Sequence, residues 1–288
     1  MKIAVTGSRG LIGSALCDSL VGDGHEVTRV ARDSQGRIDT SALGGAEAVV
    51  HLAGEPIASK LRWDEEHKRK VRQSRVDGTR RVSEAIALLD PKPRVLLSAS
   101  AVGYYGNRGD ELLDEHAGAG QGFLSELCAA WEASTGAAAD AGIRVVRARS
   151  GLVLSPDGGL LPKLLLPGKL GLGARLGSGR QWMSWITLAD EVRAIRFLLD
   201  NESVSGPVNL AAPEPVTNAA MTRTIGRVLK RPAFLVVPAV ALQIGLGRET
   251  AEETVLTSQR VDPAVLMRAG FEFRDPELEP ALRTLLHR

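Results

Sequence analysis

The segment that most constrains this chain is Thr6-Gly7-Ser8-Arg9-Gly10-Leu11-Ile12-Gly13. It follows the apolar run Ile3-Ala4-Val5 and opens a stretch of helical character, Leu11 to Gly22. Strand, glycine turn and helix in that order make a phosphate cradle. Gly7 and Gly10 permit a tight turn and close approach of backbone to a pyrophosphate, Gly13 lets helix and strand pack closely, and the helix N-terminus presents N–H groups and a positive dipole end. A second strand at Glu26 to Ala31 comes at the spacing of a βαβ unit, which favours dinucleotide binding over a turn that merely connects two elements. No G-x-x-x-x-G-K-[ST] run is present, so a nucleotide-kinase cradle is excluded.

Further strands are expected at Ala48 to Leu52, Arg94 to Ser98 and Arg144 to Arg149, and helices at Leu11 to Gly22, Glu65 to Leu89 and Leu124 to Ala141. That alternation predicts an α/β fold, a Rossmann-type doubly wound parallel sheet with a small C-terminal α+β cap. With 288 residues the chain exceeds what one core normally organises. The predicted division is a dinucleotide-binding domain over 1–155, rejoined by the strand and helix of 186–212, and a substrate-side cap from 156–185 and 213–288. Gly158 to Gly179 reads as a long loop covering a site, and Gln181 to Thr187 as a strand.

Charge and cysteine usage narrow the function classes. The 36 Lys+Arg nearly balance 34 Asp+Glu, far from the basic excess that phosphate neutralisation needs, so no nucleic-acid partner is expected. No apolar run is long enough for a membrane span, and the N-terminus lacks the regions of a signal peptide. Cys17 and Cys128 lie far apart in helical stretches, which suggests neither disulfide nor metal site and fits a reducing cytoplasm. The basic run from Lys68 to Arg81 reads as a solvated helix face, and His67 as a surface histidine on it.

At the end of the second strand, where an NAD-preferring site carries an acidic residue, this chain has Ala31-Arg32-Asp33. Arg32, with Arg9 beside it, suits a 2′-phosphate through paired guanidinium donors, so NADP is expected ahead of NAD. Surface arginines, with Asp33 as the ribose ligand one position on, are the alternative.

The cradle, the turns His51-Leu52-Ala53-Gly54 and Ser98-Ala99-Ser100-Ala101-Val102-Gly103-Tyr104-Tyr105-Gly106, and Arg149-Ser150-Gly151-Leu152-Val153 together resemble the extended short-chain dehydrogenase/reductase superfamily. Arg62-Trp63, Trp131-Glu132, Pro156-Asp157-Gly158-Gly159, Gly177-Ser178-Gly179-Arg180-Gln181 and Gly270-Phe271-Glu272-Phe273 resemble its atypical, epimerase-like branch related to human SDR39U1, with a C-terminal domain of unknown function. The resemblance implies cofactor contacts from Gly7, Arg9, Gly10, Leu11, Ile12, Gly13, Arg32, Leu52, Ala53, Gly54, Ser98, Gly151 and Leu152. It implies hydride transfer to or from a hydroxyl or carbonyl compound, nucleotide-linked compounds included, with Ser100 orienting the reacting oxygen.

The chain departs from the superfamily where the acid/base tyrosine and its lysine are expected, since those positions are Leu124 and Cys128, and an expected asparagine is Arg75. The only tyrosines are Tyr104 and Tyr105, so either is a candidate proton donor, with pocket lining or packing as the alternative role. Cys128, mid-helix and without an activating neighbour, is a poor nucleophile. Arg180 and Trp182 are implied substrate contacts; His51 closes a buried strand. No metal is expected, the expected partner is a small-molecule substrate, and a homodimer is compatible with the reading. The rival to an oxidoreductase or epimerase-like enzyme is a sensor or interaction protein that binds NADP(H) without chemistry.

Overall fold

The computed structural model describes residues 1–33 and 36–287. Six parallel strands form the main sheet: β1 (Lys2–Thr6), β2 (Glu26–Val30), β3 (Ala48–His51), β4 (Val95–Ala101), β5 (Arg144–Ser150) and β6 (Gly206–Leu210), in the order β6-β5-β4-β3-β1-β2. The chain steps from β1 out to β2 and then returns to β3 on the other side of β1. That reversal opens a crevice at the carboxyl ends of β1 and β3, where Thr6 pairs with His51.

Four helices build the site: α1 (Leu11–Gly22), α2 (Glu65–Ala87), α3 (Phe123–Ala133) and α4 (Leu188–Asp200). Successive strand residues point to opposite faces, and both faces are covered. Ile3, Val5, Val50, Leu97 and Val146 pack with Leu16 and Leu20 of α1 and Ile195 and Leu198 of α4. Ala4, Val49, Leu96 and Val145 pack with Val82 and Ile86 of α2. Burial on both faces explains why Ile3–Val5, Ala48–Val50 and Val95–Leu97 are continuous apolar runs rather than alternating. A separate core joins Leu154, Leu161, Trp185, Met221, Ile225 and Leu282.

Three expected elements differ from the sequence reading. The predicted strand over 181–187 is two short ones, Trp182–Met183 and Trp185–Thr187, because Ser184 between them donates its hydroxyl to Gln259 O and accepts from Val261 N. The predicted loop over 158–179 contains a helix, Leu161–Lys169, and a strand, Ala174–Leu176. Leu161 and Leu165 are buried with Ile225 and Leu229, and the proline of the first turn sits where a missing N–H costs little. The predicted helix over 124–141 breaks after Ala133, and Thr135 donates its hydroxyl back to Glu132 O.

Candidate functional site

The glycine turn is built by contact of backbone with backbone. A Cβ on Gly13 would lie 2.2 Å from Gly7 O, and one on Gly7, whose φ is +69°, would lie 2.7 Å from Ala53 N. No side chain fits either position, so the turn leaves its surface free for a pyrophosphate at the N-terminus of α1. Arg29, from β2, donates to Ser8 O at 3.2 Å and pairs with Asp18 of α1, which pins the turn from outside. Beneath it, Thr6 Oγ1 lies 2.7 Å from His51 Nδ1, and His51 Nε2 lies 3.0 Å from Thr79 Oγ1. Burial pushes the His51 imidazole down to about 4, so it is neutral and ties β1 and β3 to α2.

The cradle opens into a cavity of about 410 Å³ between α1, the ends of β4 and β5, and α4. Of the predicted residues, the structure brings Gly7, Gly10, Leu11, Ile12, Gly13, Leu52, Ser100, Gly151 and Leu152 to its wall. On the β2 side a second cavity of about 550 Å³ is lined by Arg32, Arg37, Lys70, Arg80, Arg81 and Ala53, with Glu55, Asp77 and Glu84 also present. Arg32 is exposed and donates to Gly36 O at 2.6 Å. The Asp33 carboxylate is engaged by Arg37 at 3.0 Å and Arg81 at 3.7 Å, which argues against its holding a ribose. Arg9 is exposed on the turn.

Ser100 has a partner that sequence reasoning missed. Its hydroxyl donates to Glu132 Oε1 at 2.7 Å, and Arg149 grips the same carboxylate through Nε at 2.8 Å and Nη2 at 2.9 Å. Arg149 also donates to the Tyr105 hydroxyl at 3.0 Å, which donates to Asn209 Oδ1 at 2.7 Å. With its proton committed to Glu132, Ser100 presents lone pairs to the cavity and suits an incoming O–H donor.

Neither tyrosine lines the cavity. Tyr105 corrects the expectation: it is fully buried, saturated by Arg149 and Asn209, and burial pushes its phenol up to about 12. Tyr104 is half-buried, with the Arg149 guanidinium 3.6 Å from its ring centroid. Leu124 and Cys128 of α3 sit over Gly103, and burial pushes the Cys128 thiol up to about 12. An acidic residue far along the chain seats this helix: Glu253 accepts from the N–H groups of Phe123 at 2.6 Å and Leu124 at 2.7 Å.

Other predicted residues stand apart from the cavity. Ser98 is buried in β4 and donates to Ala99 O, and Gly54 lies under the Arg75 guanidinium. Arg180 is exposed, while the Trp182 indole donates to Asp110 at 2.8 Å beneath Arg260. His67 is buried, not on the surface, with Nε2 donating to Ile57 O at 3.0 Å. Arg75 leaves the expected solvated face too: it is 9% exposed, stacks over Trp131, and its Nε has no partner among the described residues.

Glu191, in the first turn of α4, is the second residue sequence reasoning missed. It lines the cavity at 1% exposure, and burial pushes its carboxyl up to about 7. Asp190 beside it donates its backbone N–H to the capping Thr187 Oγ1, and its carboxylate accepts from Arg193 and from the N–H groups of Arg274 and Asp275. Among the described residues no cluster of His, Cys, Asp or Glu is arranged to hold a metal ion, and no helix is long and apolar enough to cross a membrane.

Residues 3–211 match the model of the NAD dependent epimerase/dehydratase family. The chain belongs to that family. Residues 237–285 match a domain of unknown function, DUF1731. Epimerase family protein Mb2239 of Mycobacterium bovis is 46% identical over 97% of this chain and 96% of its own. Human epimerase family protein SDR39U1 is 36% identical over 99% of this chain and all of its own. A crystal structure of human SDR39U1 with NADPH superposes over the whole of both chains with a TM-score of 0.93 at 34% identity. UDP-glucose 4-epimerase from Thermotoga maritima, at 17% identity and a TM-score of 0.77, shares the fold.

Proposed function

We propose that this protein binds NADP(H) and works as an oxidoreductase or epimerase-like enzyme on a small hydroxyl or carbonyl compound. The observation that carries the reading is the glycine cradle, closed to any Cβ, set between a basic cavity at Arg32 and a cavity holding Ser100. The cofactor in the human SDR39U1 crystal structure, NADPH, supports it. Gly7, Gly10 and Gly13 would hold the pyrophosphate, Arg32 and its basic neighbours the 2′-phosphate, and Gly151 and Leu152 the nicotinamide end. The bound nicotinamide would supply or accept hydride. Ser100, its own proton fixed on Glu132, would accept a hydrogen bond from a substrate hydroxyl and orient the reacting carbon. With Tyr105 sealed in the core, proton exchange falls to Tyr104 or solvent.

A second reading, binding without chemistry, is favoured by Leu124 and the un-ionised Cys128 thiol at the positions of the expected acid/base pair. Two measurements test both. NADPH should bind more tightly than NADH, with the preference lost in Arg32→Ala; equal affinities refute the cofactor choice. Turnover of carbonyl compounds or nucleotide sugars should fall in Ser100→Ala, and turnover that survives this change and Tyr104→Phe sinks the residue roles.

A further inference from the structure

Glu191 is the carboxyl that the proposed chemistry leaves unused, and its geometry is unusual. Oε1 accepts the Ser150 hydroxyl at 2.6 Å, Oε2 is buried with no hydrogen-bond partner among the described residues, and Glu191 lines the cavity that holds Gly7, Gly13 and Gly151. A buried polar atom without a partner calls for a ligand group that meets it. On the reading above, the basic cavity on the β2 side takes the 2′-phosphate end and α1 takes the bridging phosphates. The cavity at the ends of β4 and β5 is then left for the nicotinamide ring. That ring is cationic when oxidised and neutral when reduced.

We infer that Glu191 tells the two redox forms of the cofactor apart: its ionised carboxylate favours the cationic ring, and its protonated form loses that preference. The surroundings leave Glu191 as the group that responds. On α4, Asp190 is paired with Arg193, and Arg196 with Asp23, which caps the C-terminus of α1. From β5, Arg149 is committed to Glu132. On α1, Asp18 is held by Arg29, and the preceding turn carries only the exposed Arg9. The other residues lining the cavity are apolar, glycine or serine. Burial keeps the Glu191 carboxyl up at about 7, opposed by the Ser150 hydrogen bond, so it titrates in a range where a nearby cation decides its state. Binding of the oxidised form to protonated enzyme therefore releases the Glu191 proton to solvent, and binding of the reduced form leaves it in place.

The inference rests on the cavity being an NADP(H) site, and calorimetry on the full chain separates the two. NADP⁺ and NADPH are titrated near pH 7 in two buffers of different ionisation enthalpy, and again from pH 6 to 8. The 2′-phosphate titrates in both forms and cancels in the comparison. NADP⁺ should release more protons than NADPH, and its affinity relative to NADPH should rise with pH, about tenfold for each unit by which the cation moves the Glu191 titration. Glu191→Gln should make the ratio independent of pH, and Ser150→Ala should shift the transition upward by about one pH unit. Equal proton release by both nucleotides in the unaltered protein overturns the inference without needing any variant, as does a Glu191→Gln protein that keeps the pH-dependent ratio. Failure of both nucleotides to bind overturns the cofactor reading itself, and this inference with it.

Discussion

Glu132→Gln keeps the shape of the side chain and removes its charge. Arg149 is 3% exposed, and two of its donors end on the Glu132 oxygens at 2.8 and 2.9 Å; its other polar partners are neutral, the Tyr105 hydroxyl and Glu115 O. Taking away the carboxylate leaves a buried guanidinium without a counter-charge, a loss on the order of 3–5 kcal/mol when one partner of a buried pair is removed. The glutamine amide recovers one hydrogen bond, so about 3 kcal/mol is expected, with a fall in Tm on the order of 6–12 °C. Urea unfolding followed by circular dichroism measures it. Replacing both residues, Glu132→Gln with Arg149→Met, removes the orphaned charge and should recover at least half of the loss, which a double-mutant cycle reads directly. A single variant within about 1 kcal/mol of the parent, or a double variant no better than the single one, refutes the claim that the pair is held by its mutual charge.

Three other perturbations have defined outcomes. Gly13→Ala places a methyl group 2.2 Å from Gly7 O, so NADPH affinity should fall by more than tenfold; fluorescence titration reporting unchanged affinity would falsify the cradle assignment. Tyr105→Phe removes the donor to Asn209 and an acceptor for Arg149, costing about 1–3 kcal/mol of stability while leaving NADPH affinity unchanged, and the reverse pattern would put this tyrosine in the site. Stability should also depend on pH through Glu191 and His51, with opposite signs. The Glu191 carboxyl is raised from 4.5 to about 7, so its contribution is full below 4.5 and is lost as pH rises through 7, by about 3 kcal/mol. His51 is lowered from 6.5 to about 4, so stability is full above 6.5 and falls toward pH 4 by a similar amount. Relative to Glu191→Gln, the parent should lose stability between pH 5 and 8; parallel unfolding curves across that range contradict the assignment.

What the sequence disclosed was local. The bounds of β1 and α1 follow from residues close together in the chain: an apolar run, Gly10 and Gly13 folded against Gly7 O, and Gly22 and Gly24 at the helix end, whereas the exclusion of a side chain at Gly7 comes from Leu52 and Ala53 of a distant turn. The segment over 161–169 was illegible because Pro162, Pro167 and Gly168 interrupt its leucines; its helix is made by Ile225 and Leu229, more than fifty residues on, which bury those leucines. His67 and Arg75 look like part of a solvated basic face until Ile57 O and the Trp131 ring, contributed by other segments, draw them inside.

The same separation governs the chemistry. A count of charges close to neutral says nothing about which of them lose water, and in this fold that selection makes the site. At the positions where the resemblance implies a tyrosine and a lysine, α3 offers Leu124 and an un-ionised Cys128, so this helix brings no titrating group to the cavity. Arg149, which shares the Glu132 carboxylate with Ser100, is cancelled by that carboxylate. Among the described residues lining the cavity, Glu191 is then the one group able to change its charge near neutral pH, and it does so because α4 and β5 shut water away from it. In the sequence it looks like an ordinary acidic residue in the first turn of a helix, favourable to the helix dipole and no more. Only the packing of α4 against α1 and the ends of the sheet turns that residue from a helix-start signal into the cavity's electrostatic variable.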